Sequence, residues 1–93
     1  MPKRKITQPK EPFLEPIVRN STQLGASLLR FRKWVSLTQK EVGERSGIKQ
    51  SIVSQVESGI PGTRLGTLFK LLAALDLELV VRSRKKTLSE SEN

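Results

Sequence analysis

The stretch that most restricts the fold is residues 37–59, LTQKEVGERSGIKQSIVSQVESG. Thr38 is followed three residues later by Glu41, the spacing of a capping box. The Thr hydroxyl accepts a free backbone N–H at a helix start, and the Glu carboxylate accepts the N–H of the cap residue itself. This predicts a short helix over 38–46. Gly47 follows Ser46, and glycine takes the left-handed conformation of a helix stop without steric penalty. A second short helix is expected over 50–57. Ile48, Val53 and Val56 suit its packing side, while Lys49, Gln50, Ser51, Ser54 and Gln55 crowd hydrogen-bonding groups at its front.

Two short helices joined by a tight turn make a helix-turn-helix, whose second helix presents its N-terminal residues to base edges in the major groove. Composition agrees. The 93 residues carry a net charge of +8, from 17 basic and 9 acidic side chains, and both ends are basic for their length. Such a balance favours a polyanion, with solubility alone as the plainer explanation. With 35% hydrophobic residues, the chain supports one modest core and one small domain, the size class that often gains stability by dimerising. The sequence has no Cys and no His, so disulfides, zinc sites and the usual nucleophile–base pairs lack their components. No enzymatic activity, metal or cofactor is expected. Apolar runs are far too short to span a bilayer, and the basic N-terminus has no apolar run behind it, so a cytoplasmic protein is expected.

Three regions follow from the pattern. Residues 1–19 read as a flexible arm holding Pro2, Pro9, Pro12 and Pro16, with a basic tip (Lys3, Arg4, Lys5, Lys10) and an apolar patch (Phe13, Leu14, Ile17, Val18). The patch suits either a docking element or a cover for the domain's own surface. Residues 20–84 read as the folded domain. Its first helix starts at Asn20 or Ser21, where Asn20 and Gln23 have capping-box spacing, and Leu24, Leu28, Phe31 and Val35 recur on one face. A loop over 59–63 leads to a fourth helix over 64–75, whose stripe is read as Leu65, Leu68, Phe69, Leu72 and Leu75. Beyond Asp76 the period changes: Leu77, Leu79 and Val81 alternate with Glu78, Val80 and Arg82, as in a strand with one covered face. A lone strand needs a partner, and the same strand of a second copy, in a two-fold dimer, is the simplest. Residues 85–93 read as a disordered polar tail. The expected fold class is therefore all-α, four or five short helices, with a C-terminal strand pairing across a homodimer.

Residues 20–84 resemble the phage-repressor-like (Cro/C1, or XRE) helix-turn-helix domains, through Leu37-Thr38-Gln39, Glu41, Gly47, Gln50, residues 54–57 and Gly59. Within them the chain is most similar to HipB-like antitoxins, in Ser21-Thr22-Gln23-Leu24, Gly47-Ile48-Lys49-Gln50, Thr67-Leu68-Phe69-Lys70 and the terminal strand pattern. The resemblance implies that Gln39 holds a phosphate and steadies Gln50, and that Gln50 reads a base, since an amide can bond adenine N6 and N7 together. It implies base or phosphate contacts for Lys49, Ser51, Ser54 and Gln55, and places Thr38 at the same surface. Arg32 and Glu57 match positions of a partly buried ion pair. Gly43 stands where the family usually has Ala, at an expected cost of about 0.5–1 kcal/mol of helix propensity. Residues 1–12 have no counterpart in the pattern.

The resemblance further implies a homodimer on double-stranded DNA, an inverted-repeat operator, and a HipA-like serine/threonine kinase toxin as partner. In three-component relatives a third small antitoxin subunit neutralises the toxin. Two other functions compete. One is a stand-alone phage-type or host transcriptional regulator. The other is a protein-interaction module without DNA binding, against which the polar recognition face argues.

Overall fold

The computed structural model describes residues 6, 8, 9 and 12–84; the basic tip Lys3, Arg4, Lys5 and Lys10 and the tail 85–93 lie outside them. Four helices make up the domain: α1 (Ser21–Trp34), α2 (Gln39–Ser46), α3 (Gln50–Glu57) and α4 (Leu65–Ala74). The starts of α1 and α2 have a local cause in side-chain caps, whereas α3 and α4 begin without one. Asn20 caps α1 by accepting from the Gln23 N–H at 2.8 Å. The reciprocal bond is displaced by one residue, because the Arg19 N–H donates to Gln23 Oε1 at 2.6 Å. At α2 the box is complete: the Glu41 N–H donates to Thr38 Oγ1 at 3.0 Å and the Thr38 N–H to Glu41 Oε1 at 2.9 Å.

All four helices end in the same device, in which the chain passes through a left-handed residue and N–H groups turn back onto orphan carbonyls. After α1 the residue is Ser36 (φ 59), with Leu37 N–H donating to Arg32 O. After α3 it is Gly59 (φ 79), with Ile60 N–H donating to Gln55 O, and after α4 it is Asp76 (φ 58), with Leu77 N–H donating to Leu72 O. α2 stops at Gly47 (φ 74), which opens the turn to α3.

The core forms where these helices meet, with α1 on α3 and α2 on both α3 and α4. Leu28, Phe31, Val35, Leu37, Val42, Val53, Val56, Leu68, Leu71, Leu72 and Leu75 are buried together. The stripe expected on α4 is corrected by this register. Leu71, at 2% exposure, is a central core residue, whereas Leu65 and Phe69 stand 69% and 50% exposed. Two glycines allow α1 to touch the end of α3. A Cβ on Gly25 would lie 2.3 Å from Val56 O and 2.7 Å from Glu57 O, and one on Gly59 would lie 2.7 Å from Thr22 Cα.

The arm is partly docked. Phe13 packs edge-on against Phe31 (centroids 5.0 Å apart) and against Trp34 (5.3 Å), and Ile6 also packs on the core. Phe13 thus covers the domain's own surface, while Leu14 and Ile17 stay largely exposed. The strand expected over 77–84 is absent from the single chain, as is any other strand among the described residues. The physical reason is that a strand exists only with a ladder partner, and the chain provides none. Leu77 packs half-buried on the core, whereas Leu79, Val80 and Val81 are exposed.

Candidate nucleic-acid interface

α3 divides cleanly into a packing side and a solvent side. Val53 and Val56 are buried, Ile48 and Ile52 are half-buried, and Lys49, Gln50, Ser51 and Gln55 are exposed, with Ser54 half-buried among them. No acidic residue occupies the first turn of α3. An anion approaching that end therefore meets the Lys49 charge and the free N–H groups of the helix start. The Gln50 amide has no hydrogen-bond partner among the described residues, so its donor and acceptor remain available.

The turn is held from behind. Gly47 and Ile48 N–H both donate to Gly43 O, at 2.8 and 3.1 Å. A Cβ on Gly43 would come within 2.7 Å of Ile48 O. The expectation that Gly43 costs only helix propensity is thereby amended: the backbone crossing at this turn leaves no ordinary room for Ala.

Beneath the surface lies the expected ion pair, with more partners than expected. Arg32 Nε donates to Glu57 Oε2 at 2.6 Å and Arg32 Nη2 to Glu57 Oε1 at 2.9 Å, with side-chain exposures of 10% and 4%. Arg32 Nη1 donates to Leu37 O at 2.9 Å. Gln39 Nε2 donates to Glu57 Oε1 at 3.0 Å. The first residue of α2 is therefore fastened to the last residue of α3, and both to α1. In the free chain Gln39 bonds Glu57, not Gln50. Thr38 is occupied as the α2 cap, its hydroxyl oxygen taken by Glu41 N–H while the hydroxyl proton remains available.

The structure adds residues that the sequence pattern did not single out. An open groove of about 450 Å³ runs beside α3, lined by Lys49, Ile52, Gln55, the 60–63 loop, Arg64 and Thr67. Thr63, Arg64 and Thr67 thus join the polar face of α3. Their only sequence signal is Arg64 directly after Pro61-Gly62-Thr63, at the mouth of α4. No helix among the described residues is long and apolar enough to cross a membrane.

A short capped helix, a glycine turn and a second helix with a polar, acid-free front define a helix-turn-helix of the DNA-binding kind. Comparison with known proteins agrees. A helix-turn-helix family profile matches residues 28–81. The antitoxin HipB of Escherichia coli K12 is 32% identical over 74 residues, which span 80% of this chain and 84% of HipB. Among solved structures, a HipB–O2 20-mer complex superposes with a TM-score of 0.73 at 30% identity, covering 77% of this chain and 100% of that one. HipB in a HipA–HipB–O2–O3 complex does so with a TM-score of 0.72 at 31% identity, covering 76% and 100%. The chain belongs to the Cro/C1-type helix-turn-helix family of DNA-binding transcription regulators, as a HipB-like antitoxin.

Proposed function

We propose that the chain represses its own operon by binding an inverted-repeat operator as a homodimer, and that it also binds a HipA-like kinase toxin. The observation that carries the reading is the exposed front of α3, held rigid by the Arg32–Glu57–Gln39 bonds behind it. On this reading Gln50 takes an adenine through its amide, Lys49 takes guanine O6 or N7 or a phosphate, and Ser51, Ser54 and Gln55 make close polar contacts along the groove. Thr38, Gln39 and Arg64 hold the phosphates on either side. The solved HipA–HipB complex supports the kinase as partner.

The dimer places two copies of α3 about 34 Å apart, one turn of DNA. Leu79 and Val81, exposed in the single chain, become ladder residues of a strand shared between the two copies, and Leu77 anchors that strand to each core. The domain plan is an arm over 1–19, a folded unit over 20–84 and a tail over 85–93.

The test is selection of duplexes from a randomised pool, followed by binding of the winners with and without a purified HipA-like kinase. The reading predicts an inverted repeat with half-sites one turn apart, and a ternary complex. Selection of single half-sites, or of no sequence, would refute the operator part. A stand-alone regulator would give the repeat but bind no kinase.

A further inference from the structure

We propose that Glu57 is a positioning residue for DNA recognition: it sets which way round the Gln39 amide is presented. The inference rests on the reading above that Gln39 lies at the DNA surface.

A carboxylate only accepts hydrogen bonds, whereas an amide has a donor end and an acceptor end. Glu57 is held as a carboxylate partner by two bonds from Arg32, at 2.6 and 2.9 Å, and its side chain is 4% exposed. It cannot rotate away without leaving the buried Arg32 guanidinium no counter-charge and only the Leu37 carbonyl as partner. Its Oε1 therefore offers Gln39 a fixed acceptor, met by Gln39 Nε2 at 3.0 Å. The opposite orientation sets two acceptor oxygens against each other. With Nε2 turned to Glu57, Gln39 keeps one N–H and its Oε1 for other partners. The N–H suits a phosphate oxygen, and Oε1 accepts only from a donor, such as an amide N–H. Arg32 completes the arrangement through its third bond, to Leu37 O, just ahead of the Thr38 cap. The order of donors and acceptors at the start of α2 is thus written from a buried charge on α1, through the last residue of α3.

Glu57→Gln keeps the shape but can turn an N–H donor toward Gln39, which then meets it with Oε1 and presents its free end the wrong way round. The experiment is a double-mutant cycle of Glu57→Gln and Gln39→Met, titrated on a duplex selected by the wild-type chain and on a scrambled one. The expected result is a loss of about tenfold on the selected duplex for Glu57→Gln, the size of one hydrogen bond, and little further loss when it is added to Gln39→Met. A merely structural role of Glu57 gives equal, additive losses on both duplexes, and that outcome overturns the proposal while leaving the Gln39 contact in place. No loss for Gln39→Met on the selected duplex removes the underlying reading, and the proposal with it. If Glu57→Gln does not fold, side-chain amide NMR of the wild-type chain decides. One Gln39 Nε2 proton must exchange slowly, free and bound to the selected duplex. Fast exchange of both protons in the complex overturns the proposal.

Discussion

Replacing glycine by alanine at two helical positions should change stability in opposite directions. Gly25 lies in the second turn of α1 and Gly66 in the first turn of α4. Alanine in a helix gains roughly 0.5–1 kcal/mol over glycine from backbone entropy. At Gly66 nothing lies within 4 Å of the new methyl, so that gain is realised. At Gly25 the methyl would sit 2.3 Å from Val56 O, 2.7 Å from Glu57 O and 2.8 Å from Gly59 N, all backbone atoms. Ordinary contact needs 3.4 Å or more, so α1 and the end of α3 must separate by about 1 Å, straining the Arg32–Glu57 bonds that join them. Overpacking costs about 1–3 kcal/mol or more, and this site stands at the upper end because no flexible side chain can yield. Gly25→Ala should therefore destabilise by about 2 kcal/mol net, and Gly66→Ala should stabilise by up to about 1 kcal/mol. Urea unfolding followed by circular dichroism reads both. A Gly25→Ala chain as stable as wild type would refute the close approach of α1 to α3.

Other outcomes follow from the same geometry. Asp76 places a left-handed, negatively charged residue at the C-terminus of α4, so Asp76→Gly should stabilise by up to about 1 kcal/mol in the same unfolding assay. Truncation after Leu77 spares the α4 cap and the Leu77 packing, yet should weaken the dimer strongly and lower operator affinity, because two half-sites no longer act together. Sedimentation showing an unchanged dimer would exclude the shared strand. Replacing Lys3, Arg4, Lys5 and Lys10 by serine should flatten the slope of log affinity against log salt, by about 0.9 for each phosphate that the tip no longer neutralises. An unchanged slope would mean that the tip does not touch DNA. Deleting residues 1–10 is the poorer experiment, since it also removes Ile6 from the core.

Helix boundaries were legible in the sequence because caps are local. Thr38 with Glu41, Asn20 with Gln23, and Gly47 each act within four residues of themselves. The α4 register was not. In LGTLFKLLAA, apolar side chains occur on more than one face, so the period alone does not choose between Leu65 and Leu71. Only packing against α2 buries Leu71 and leaves Leu65 in solvent. Gly25 was silent for a related reason: a glycine within a helix says nothing about what approaches it. At the interface, the polar front of α3 could be read directly, since its residues are close in sequence. The Arg32–Glu57 pair came from family positions, and the Gln39 bond to Glu57 joins residues 18 apart through the reach of one amide. Arg64 and Thr67 reach the groove because the 60–63 loop folds back beside α3, which no local rule anticipates.

The most direct test of sequence-specific recognition by α3 is a titration of wild type and Gln50→Ala on the selected duplex and on a scrambled one. Gln50 is exposed and its side chain holds no part of the fold, so the change should leave unfolding untouched. Removing a bidentate bond to a base should weaken the selected complex by about 1–3 kcal/mol and barely affect the scrambled one. Equal losses on the two duplexes would contradict base reading by Gln50.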